Sequence, residues 1–200
     1  MKKLISLVLC FVIIFCFASC KKDDSKNTVN VDLEYYAKLG KIPEAEFTLG
    51  DNVDDVIDKL TDKQTQYDSE HGDDPDHSHD HNQADFFFDV TEGDKNVLID
   101  NGVVNYYYNK NNKKNGIAYI VNYDTAFELE VGTLISEVQE YFKGFKFTQE
   151  DATEENVFFA SYITDGTVLK TEIGDVVIMF VFLENQLYAT AMYDTKNWNP

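Results

Sequence analysis

The sequence contains no arginine: its 17 basic residues are all lysine, set against 36 acidic residues, and the formal net charge at pH 7 is −19. This charge argues against nucleic acid as a partner, because phosphates are neutralised by a cationic surface. Without arginine the chain also lacks the guanidinium group that most often holds phosphates and carboxylates through paired hydrogen bonds. With 44% hydrophobic and 14% aromatic residues, the composition is nevertheless that of a folded protein.

Cysteine is absent beyond the N-terminal leader, which holds all three cysteines of the chain: Cys10, Cys16 and Cys20. An exported domain without later cysteines forms no disulfide and must be stabilised by its core alone. The leader begins with Lys2 and Lys3 and continues with 15 almost wholly apolar residues. Because a helix needs about 20 apolar residues to span a bilayer, we expect residues 1–19 to be a signal peptide.

The leader ends in Phe17-Ala18-Ser19-Cys20, which resembles the lipobox of bacterial lipoproteins. That resemblance implies lipidation of Cys20 by acyl chains such as palmitate, and an anchor on the extracytoplasmic face of the cell membrane or outer membrane. The alternative is an ordinary signal peptide with an incidental cysteine. After cleavage, 15 lysines remain against 36 acidic residues. Because anionic lipids repel such an acidic surface, we expect the acyl chains, rather than the protein surface, to hold the protein at the membrane. Residues 20–40 are expected to form the lipidated cysteine and a flexible tether.

Ordered internal matches indicate a duplication. The segment that begins at Gly50 (GDNVDDV) matches the one that begins at Gly132 (GTLISEV) at an offset of 82 residues. Further matches follow in the same order: Leu60 with Phe142, Phe86-Phe87 with Phe158-Phe159, Gly102 with Gly174, and Tyr123-Asp124-Thr125 with Tyr193-Asp194-Thr195. We therefore expect a first repeat at 41–125 and a second at 126–200.

Each repeat begins with a helix signal. Val53, Val56, Ile57 and Leu60 follow helical spacing after Asp51 as the expected N-cap, and Ile135, Val138 and Phe142 follow Thr133 in the same way. β-rich runs come next, at 86–90, 97–100, 103–109 and 117–123 in the first repeat and at 157–163, 168–172, 176–183 and 187–193 in the second. Asn101-Gly102 predicts a two-residue hairpin turn with positive φ at both positions, and Asp165-Gly166 and Glu184-Asn185 indicate further turns. The expected fold is α+β, with two tandem repeats of one helix followed by a four-stranded antiparallel meander.

This order of elements behind a lipobox resembles the β-lactamase-inhibitory-protein-like family and the small SmpA/OmlA-type lipoproteins. The resemblance spans residues 47–195 and rests on the helix start of glycine, acid, hydrophobic residue and valine. It implies a helix-on-sheet fold whose open sheet face binds a protein. The inhibitory proteins carry disulfides, whereas the expected domain here has none.

All four histidines lie in one insertion, the loop 69–83, where the repeat offset falls from 82 to 72. Imidazole and carboxylate groups bind zinc and similar divalent transition metals. The candidate ligands are His71, His77, His79, His81, Asp76 and Asp80. The sequence leaves two interpretations open: weak, loop-bound Zn²⁺, or a solvated acidic loop with incidental histidines.

Tyrosines are concentrated on the expected central strands, and those considered for partner binding are Tyr106, Tyr108, Tyr119 and Tyr188. Tyrosine suits an interface because it offers rigid area and a polar tip, but it also packs cores. Trp198 is expected to be a packing lid.

The sequence offers few residues or motifs that could form a catalytic site. No thiol remains after the leader, no histidine lies outside the loop, and no phosphate-binding glycine motif occurs. A carboxylate pair for glycoside hydrolysis is a minor alternative. The favoured hypothesis is a lipid-anchored, extracytoplasmic, non-catalytic binding protein that engages a protein or cell-envelope partner through its sheet; the main alternative is a metal-binding lipoprotein that captures or buffers zinc.

Overall fold

The first helix, α1 (Leu33–Leu39), lies in the segment expected to be a tether. The computed structural model of the chain describes residues 31–71, 88–153, 156–157, 159 and 165–198. The Asp32 carboxylate accepts a 3.1 Å hydrogen bond from a backbone N–H in the first turn of α1, and Gly40 ends the helix at a φ of 61°. Leu33 and Ala37, one turn apart, are buried in the core. The prediction of a flexible tether up to residue 40 is therefore wrong for this helix, and residues 20–30 lie outside the described part.

The second helix, α2 (Val53–His71), begins where the sequence predicted but with a different cap. The Asn52 side-chain oxygen accepts hydrogen bonds from the first-turn N–H groups of Asp54 and Asp55 at 2.9 and 3.2 Å. The expected cap, Asp51, instead accepts the N–H of Thr48 at 2.8 Å. The predicted apolar face is buried at Val53, Val56 and Leu60.

Helix α2 continues for 19 residues, so the backbone of residues 69–71 is helical rather than part of a loop. Residues 72–87, and with them most of the predicted His-rich loop, lie outside the described part of the chain.

The third helix, α3 (Ile135–Tyr141), opens the second half. Val138 and the following Phe142 are buried, as their spacing predicted. In both halves the helix covers the same side of the sheet, since residues of α2 and α3 belong to one core cluster.

Eight strands form a single antiparallel sheet. They are β1 (Asp89–Glu92), β2 (Asn96–Asp100), β3 (Val104–Asn109), β4 (Tyr119–Asn122), β5 (Thr148–Asp151), β6 (Gly166–Ile173), β7 (Val176–Leu183) and β8 (Gln186–Asp194), with a 3₁₀ segment, Lys110–Asn115, before β4. Their order is β1-β2-β3-β4-β8-β7-β6-β5. The α+β class is confirmed. The expectation of two separate four-stranded units is corrected to one eight-stranded sheet, because β4 pairs with β8.

The two edge strands account for the errors in strand assignment. The second half has a strand, β5, ahead of the predicted run 157–163; of that run the structure describes only Val157 and Phe159, both outside any strand. Strand β1 begins at Asp89, three residues after the predicted start. Both edge strands are mostly exposed and rich in acids, so they carry no apolar alternation that a sequence pattern can detect.

The predicted turns differ in outcome. Glu184 and Asn185 have φ values of 51° and 65° and join β7 to β8 as a two-residue turn, as predicted. Asn101-Gly102 does not form such a turn, because β3 starts only at Val104 and Gly102 alone has a positive φ, of 86°.

An unpredicted turn follows β4. Phe127 and Glu128 have φ values of 54° and 65°, a left-handed conformation that costs energy in residues other than glycine. The carboxylate of Glu44 accepts hydrogen bonds from both backbone N–H groups, at 3.0 and 3.4 Å. The side chain of Phe127 is buried between Tyr36 and Phe180, so this turn closes the core beneath the helices.

Both faces of the sheet are covered. On the first face the helices pack against large side chains that include Tyr106, Ile120, Phe180 and Phe182. On the second face Ala152 and Val157, from the connection between β5 and β6, belong with Trp198 to a cluster that includes Tyr107, Tyr119 and several alanines and valines. None of the helices in the described ranges is long and apolar enough to cross a membrane.

Candidate binding surface

An exposed group of side chains lies at the end of the β7–β8 hairpin, on the second face of the sheet. Leu183 ends β7 and pairs with Gln186, the first residue of β8. On its other side Gln186 forms an isolated antiparallel bridge with Leu134. Since residues paired across an antiparallel sheet project to the same face, these three side chains form a row.

The orientation of this row follows from its neighbours. Phe182 and Leu187 belong to the helix-covered core, and successive strand residues alternate between faces. Leu183 and Gln186 therefore face the other side. Tyr188 lies at a register shift between β7 and β8, and its side chain packs with the cluster of the second face. Leu134 is 45% exposed and Leu183 is 38% exposed. We call Leu134, Leu183 and Tyr188 the hairpin patch.

Tyr188 is the one predicted partner-binding tyrosine that is only half-buried. Its ring packs edge-on against Tyr123 at a centroid distance of 5.9 Å. This contact fixes the ring against the sheet while part of its surface stays accessible, which suits a preorganised contact residue.

The other three tyrosines considered for partner binding are buried, which is the core packing that the sequence left open as their alternative. Tyr106 is fully buried beneath the helices, where its ring packs edge-on against Phe47 at 5.3 Å and its hydroxyl accepts the backbone N–H of Glu46 at 3.2 Å. Burial raises the pKa of Tyr106 to about 12. Tyr108 is also buried in the helix-side core, and burial raises the pKa of its hydroxyl.

Tyr119 is buried on the opposite face. Its ring stacks on Tyr193, with centroids 5.2 Å apart and planes 2° from parallel, and contacts Trp198 at 4.9 Å. Burial raises the pKa of Tyr119 well above its ordinary value. Trp198 also packs against Tyr107 at 6.0 Å and is itself buried, so its predicted role as a packing lid is confirmed.

Three acidic residues lie close in the chain to the residues of the hairpin patch. Glu184 lies in the turn between Leu183 and Gln186, and the Glu137 carboxylate accepts the backbone N–H of Leu134 at 2.9 Å. Glu130 is exposed in the segment just before Leu134. Among the described residues, no lysine lies within ion-pair distance of these three carboxylates.

Sequence reasoning missed Leu134 and Leu183, although a signal for Leu134 was present. The repeat offset of 82 aligns Leu134 with Asn52, which caps α2. An apolar residue at a helix N-cap is unfavourable, so its presence there is a sign of another role. Leu183 had no such signal, because it ends a continuous apolar run.

A second, smaller feature is an open cleft of about 270 Å³ beside the β1–β2 turn. It is lined by Leu98 and Tyr107 together with residues of the turn that include Thr91, Gly93 and Lys95. The side-chain oxygen of Asn96 is buried next to it without a hydrogen-bond partner. The accessible surface of the cleft is almost wholly apolar.

The predicted metal and lipid residues fall outside what the structure describes. This holds for Cys20, Asp76, His77, His79, Asp80 and His81, and for the side chain of His71. Within the described residues no three histidine, cysteine or acidic side chains converge as metal ligands. Zinc binding and lipidation therefore stay predictions.

Comparison of the chain with protein-family models, with curated proteins and with solved structures found no match. The resemblance to inhibitory-protein-like and SmpA/OmlA-type lipoproteins accordingly stays a prediction from sequence.

Proposed function

We propose that this chain is a lipid-anchored, extracytoplasmic, non-catalytic binding protein that engages a protein or cell-envelope partner through the hairpin patch. The observation that carries the proposal is the exposure of Leu134 and Leu183 in one row, beside Tyr188; within the described strands the other exposed large apolar residue is Val90 of the edge strand β1. An exposed apolar group with a polar rim is typical of an interaction site. The lipid anchor and the absence of catalysis are predictions from the sequence.

Site-specific photo-crosslinking in cells of the native host tests this surface. A photoreactive residue at position 134 or 183 should give a discrete crosslinked product, whereas one at position 39 should not. Leu39 is a matched control, because it is 46% exposed on α1 but outside the patch. Equal products at all three positions, or none at the patch, would contradict the proposed surface.

We further propose that the two halves arose by duplication. In the first half the N–H of Gly50 donates to Ile117 at 2.8 Å, and the N–H of Ile117 donates back to the residue after the glycine at 3.0 Å. In the second half Gly132 and Leu187 make the same exchange, with both distances 2.8 Å. The shifts of 82 and 70 residues are those found in the sequence matches. An experimental structure whose halves cannot be superposed would contradict the duplication.

The pair of hydrogen bonds that joins Gly50 and Asp51 to Ile117 requires a close approach of two backbone segments. A Cβ at Gly116, which has a φ of 76°, would lie 2.5 Å from the carbonyl oxygens of Gly50 and Asp51. Only glycine is compatible with this packing, so the contact that positions α2 over the sheet depends on Gly116.

The second candidate function is metal capture or buffering by the His-rich segment. It rests on the sequence, in which all four histidines and several acidic residues lie within residues 69–83. Calorimetric titration of zinc into the chain, and into a variant lacking residues 70–83, tests this function. Equal heats in the two titrations would contradict it.

Labelling with radioactive palmitate tests the anchor. The wild-type chain should incorporate label and Cys20→Ala should not, because the thiol is the only attachment point that the lipobox resemblance provides. Label retained by Cys20→Ala would contradict lipidation at this residue.

A further inference from the structure

We infer that the partner of the hairpin patch is a protein segment with an apolar centre surrounded by lysine or arginine side chains. This inference rests on the proposed function, since it names the chemistry of the partner that the patch binds.

The shape of the patch favours a ridge of apolar side chains as its occupant. Leu183, Gln186 and Leu134 lie on three neighbouring backbone segments, and neighbouring strands are about 4.8 Å apart. Leu134 and Leu183 are therefore separated by roughly 10 Å across the row. A helix with leucines two turns apart presents apolar side chains at a matching spacing, because each turn rises about 5.4 Å.

The charges around the patch select a cationic partner. Glu130, Glu137 and Glu184 flank the row, and the described part of the chain places no lysine within ion-pair distance of them. A partner that covers the leucines must place its own rim against these carboxylates. Cationic side chains there gain attraction, whereas acidic ones would be repelled.

The whole-chain charge argues against an anionic membrane as the occupant. The formal net charge is −19, and bacterial bilayers with anionic headgroups repel such a surface. The same field draws cationic segments to the protein and accelerates their association. A protein segment rather than a lipid surface therefore fits the patch.

Designed peptides test this chemistry with defined probes. The first is a helical peptide of about 15 residues, a length at which an isolated helix begins to be stable, with leucines on one face and lysines on the other. The second has the same composition in scrambled order, and the third replaces every lysine with glutamate. Their affinities for the wild-type chain are measured by fluorescence anisotropy at low and high salt.

The expected result is binding of the amphipathic lysine peptide, weakened by salt because the rim contacts are screened. Leu134→Ser combined with Leu183→Ser should weaken this binding about tenfold or more. The control Leu39→Ser should leave it unchanged. The scrambled peptide should bind wild type and patch variant equally and weakly, through charge alone.

Three outcomes would overturn the inference. The first is equal affinity of the lysine peptide for wild type and the patch variant, and the second is no binding at all. The third is binding of wild type, but not of the patch variant, to vesicles of phosphatidylglycerol, which would identify a lipid occupant. Since none of these outcomes concerns crosslinking at positions 134 and 183 in cells, failure here is distinguishable from failure of the proposed function.

Discussion

The two faces of the sheet are both covered, but by different parts of the chain and in different ways. Three helices cover the first face, which carries large side chains such as Phe180, Phe182 and Tyr106. One connection and the C-terminal Trp198 cover the second face, where Ala118, Ala189 and Ala191 are among the buried residues. This face also buries Tyr107, Tyr119 and Met179, and the described part of its cover is shorter than the three helices of the first face. The hairpin patch lies on this second face.

The largest effect is expected from truncation on the helix-covered face. Phe180→Ala should lower the free energy of unfolding by about 4 kcal/mol, because a buried phenylalanine leaves both lost burial and a cavity. Val181 is the adjacent residue and faces the other side. Val181→Ala should cost about 2 kcal/mol. Urea denaturation followed by circular dichroism measures both values, and an equal or smaller loss for Phe180→Ala would contradict the difference between the faces.

A smaller loss is expected from Trp198→Ala, which removes the lid of the second face. The indole ring of Trp198 contacts Tyr107 and Tyr119, so we expect its removal to lower the free energy of unfolding by about 3 kcal/mol. Trp198→Phe should retain most of this free energy. Trp198 is the single tryptophan of the chain, and its fluorescence in the wild type reports on this cover alone. If the urea midpoint measured by Trp198 fluorescence lies below the midpoint measured by circular dichroism, the cover of the second face opens before the sheet unfolds.

High pH should weaken both faces through buried tyrosines. Tyr106 on the first face and Tyr107 on the second have pKa values raised by burial to about 12. Because their pKa values are raised in the folded chain, both tyrosines favour folding while their hydroxyls are neutral. This contribution to the free energy of unfolding is complete below the unfolded pKa of about 10, and it is lost as the pH rises towards 12. Each tyrosine should account for on the order of 2 kcal/mol.

The free energy of unfolding between pH 9 and 12, and absorbance at 295 nm, measure this loss. Tyr106→Phe and Tyr107→Phe should each flatten the decrease, because phenylalanine has no proton to lose. A variant whose decrease matches that of the wild type would show that its tyrosine does not control the alkaline limit.

The smallest effect concerns the turn that closes the helix-covered face. Glu44→Ala leaves the N–H groups of Phe127 and Glu128 without their acceptor, and we expect a loss of about 1 kcal/mol. Glu44→Gln keeps an acceptor oxygen and should lose less. Equal losses in thermal unfolding experiments would indicate that the charge, and not the hydrogen bonds, stabilises this turn.

Local patterns predicted much of the fold. The helix starts after Gly50 and Gly132 were predicted because caps and apolar spacing depend on residues within one or two turns. The central strands were predicted because their apolar runs are long. Helix α1 was missed because only Leu33 and Ala37 form its buried face, and β5 was missed because an exposed edge strand has no apolar pattern.

The binding surface was less predictable than the fold. Tyr188 was predicted and remains accessible, whereas Tyr106 and Tyr119 have the same strand context and are buried. Alternation along a strand separates the two faces but does not say what covers each of them. Leu134 reaches the patch only through its bridge to Gln186, which joins residues 52 positions apart.

The sequence by itself determined the acidic charge, the lack of disulfides in the expected domain, the two helix starts and the positions of the central strands. These depend on composition and on neighbours within a few residues. Only the tertiary structure decided that β4 pairs with β8 in one sheet, that both faces are covered, and that two leucines remain exposed beside Tyr188. Burial depends on contacts between segments far apart in the chain, and no local pattern specifies them.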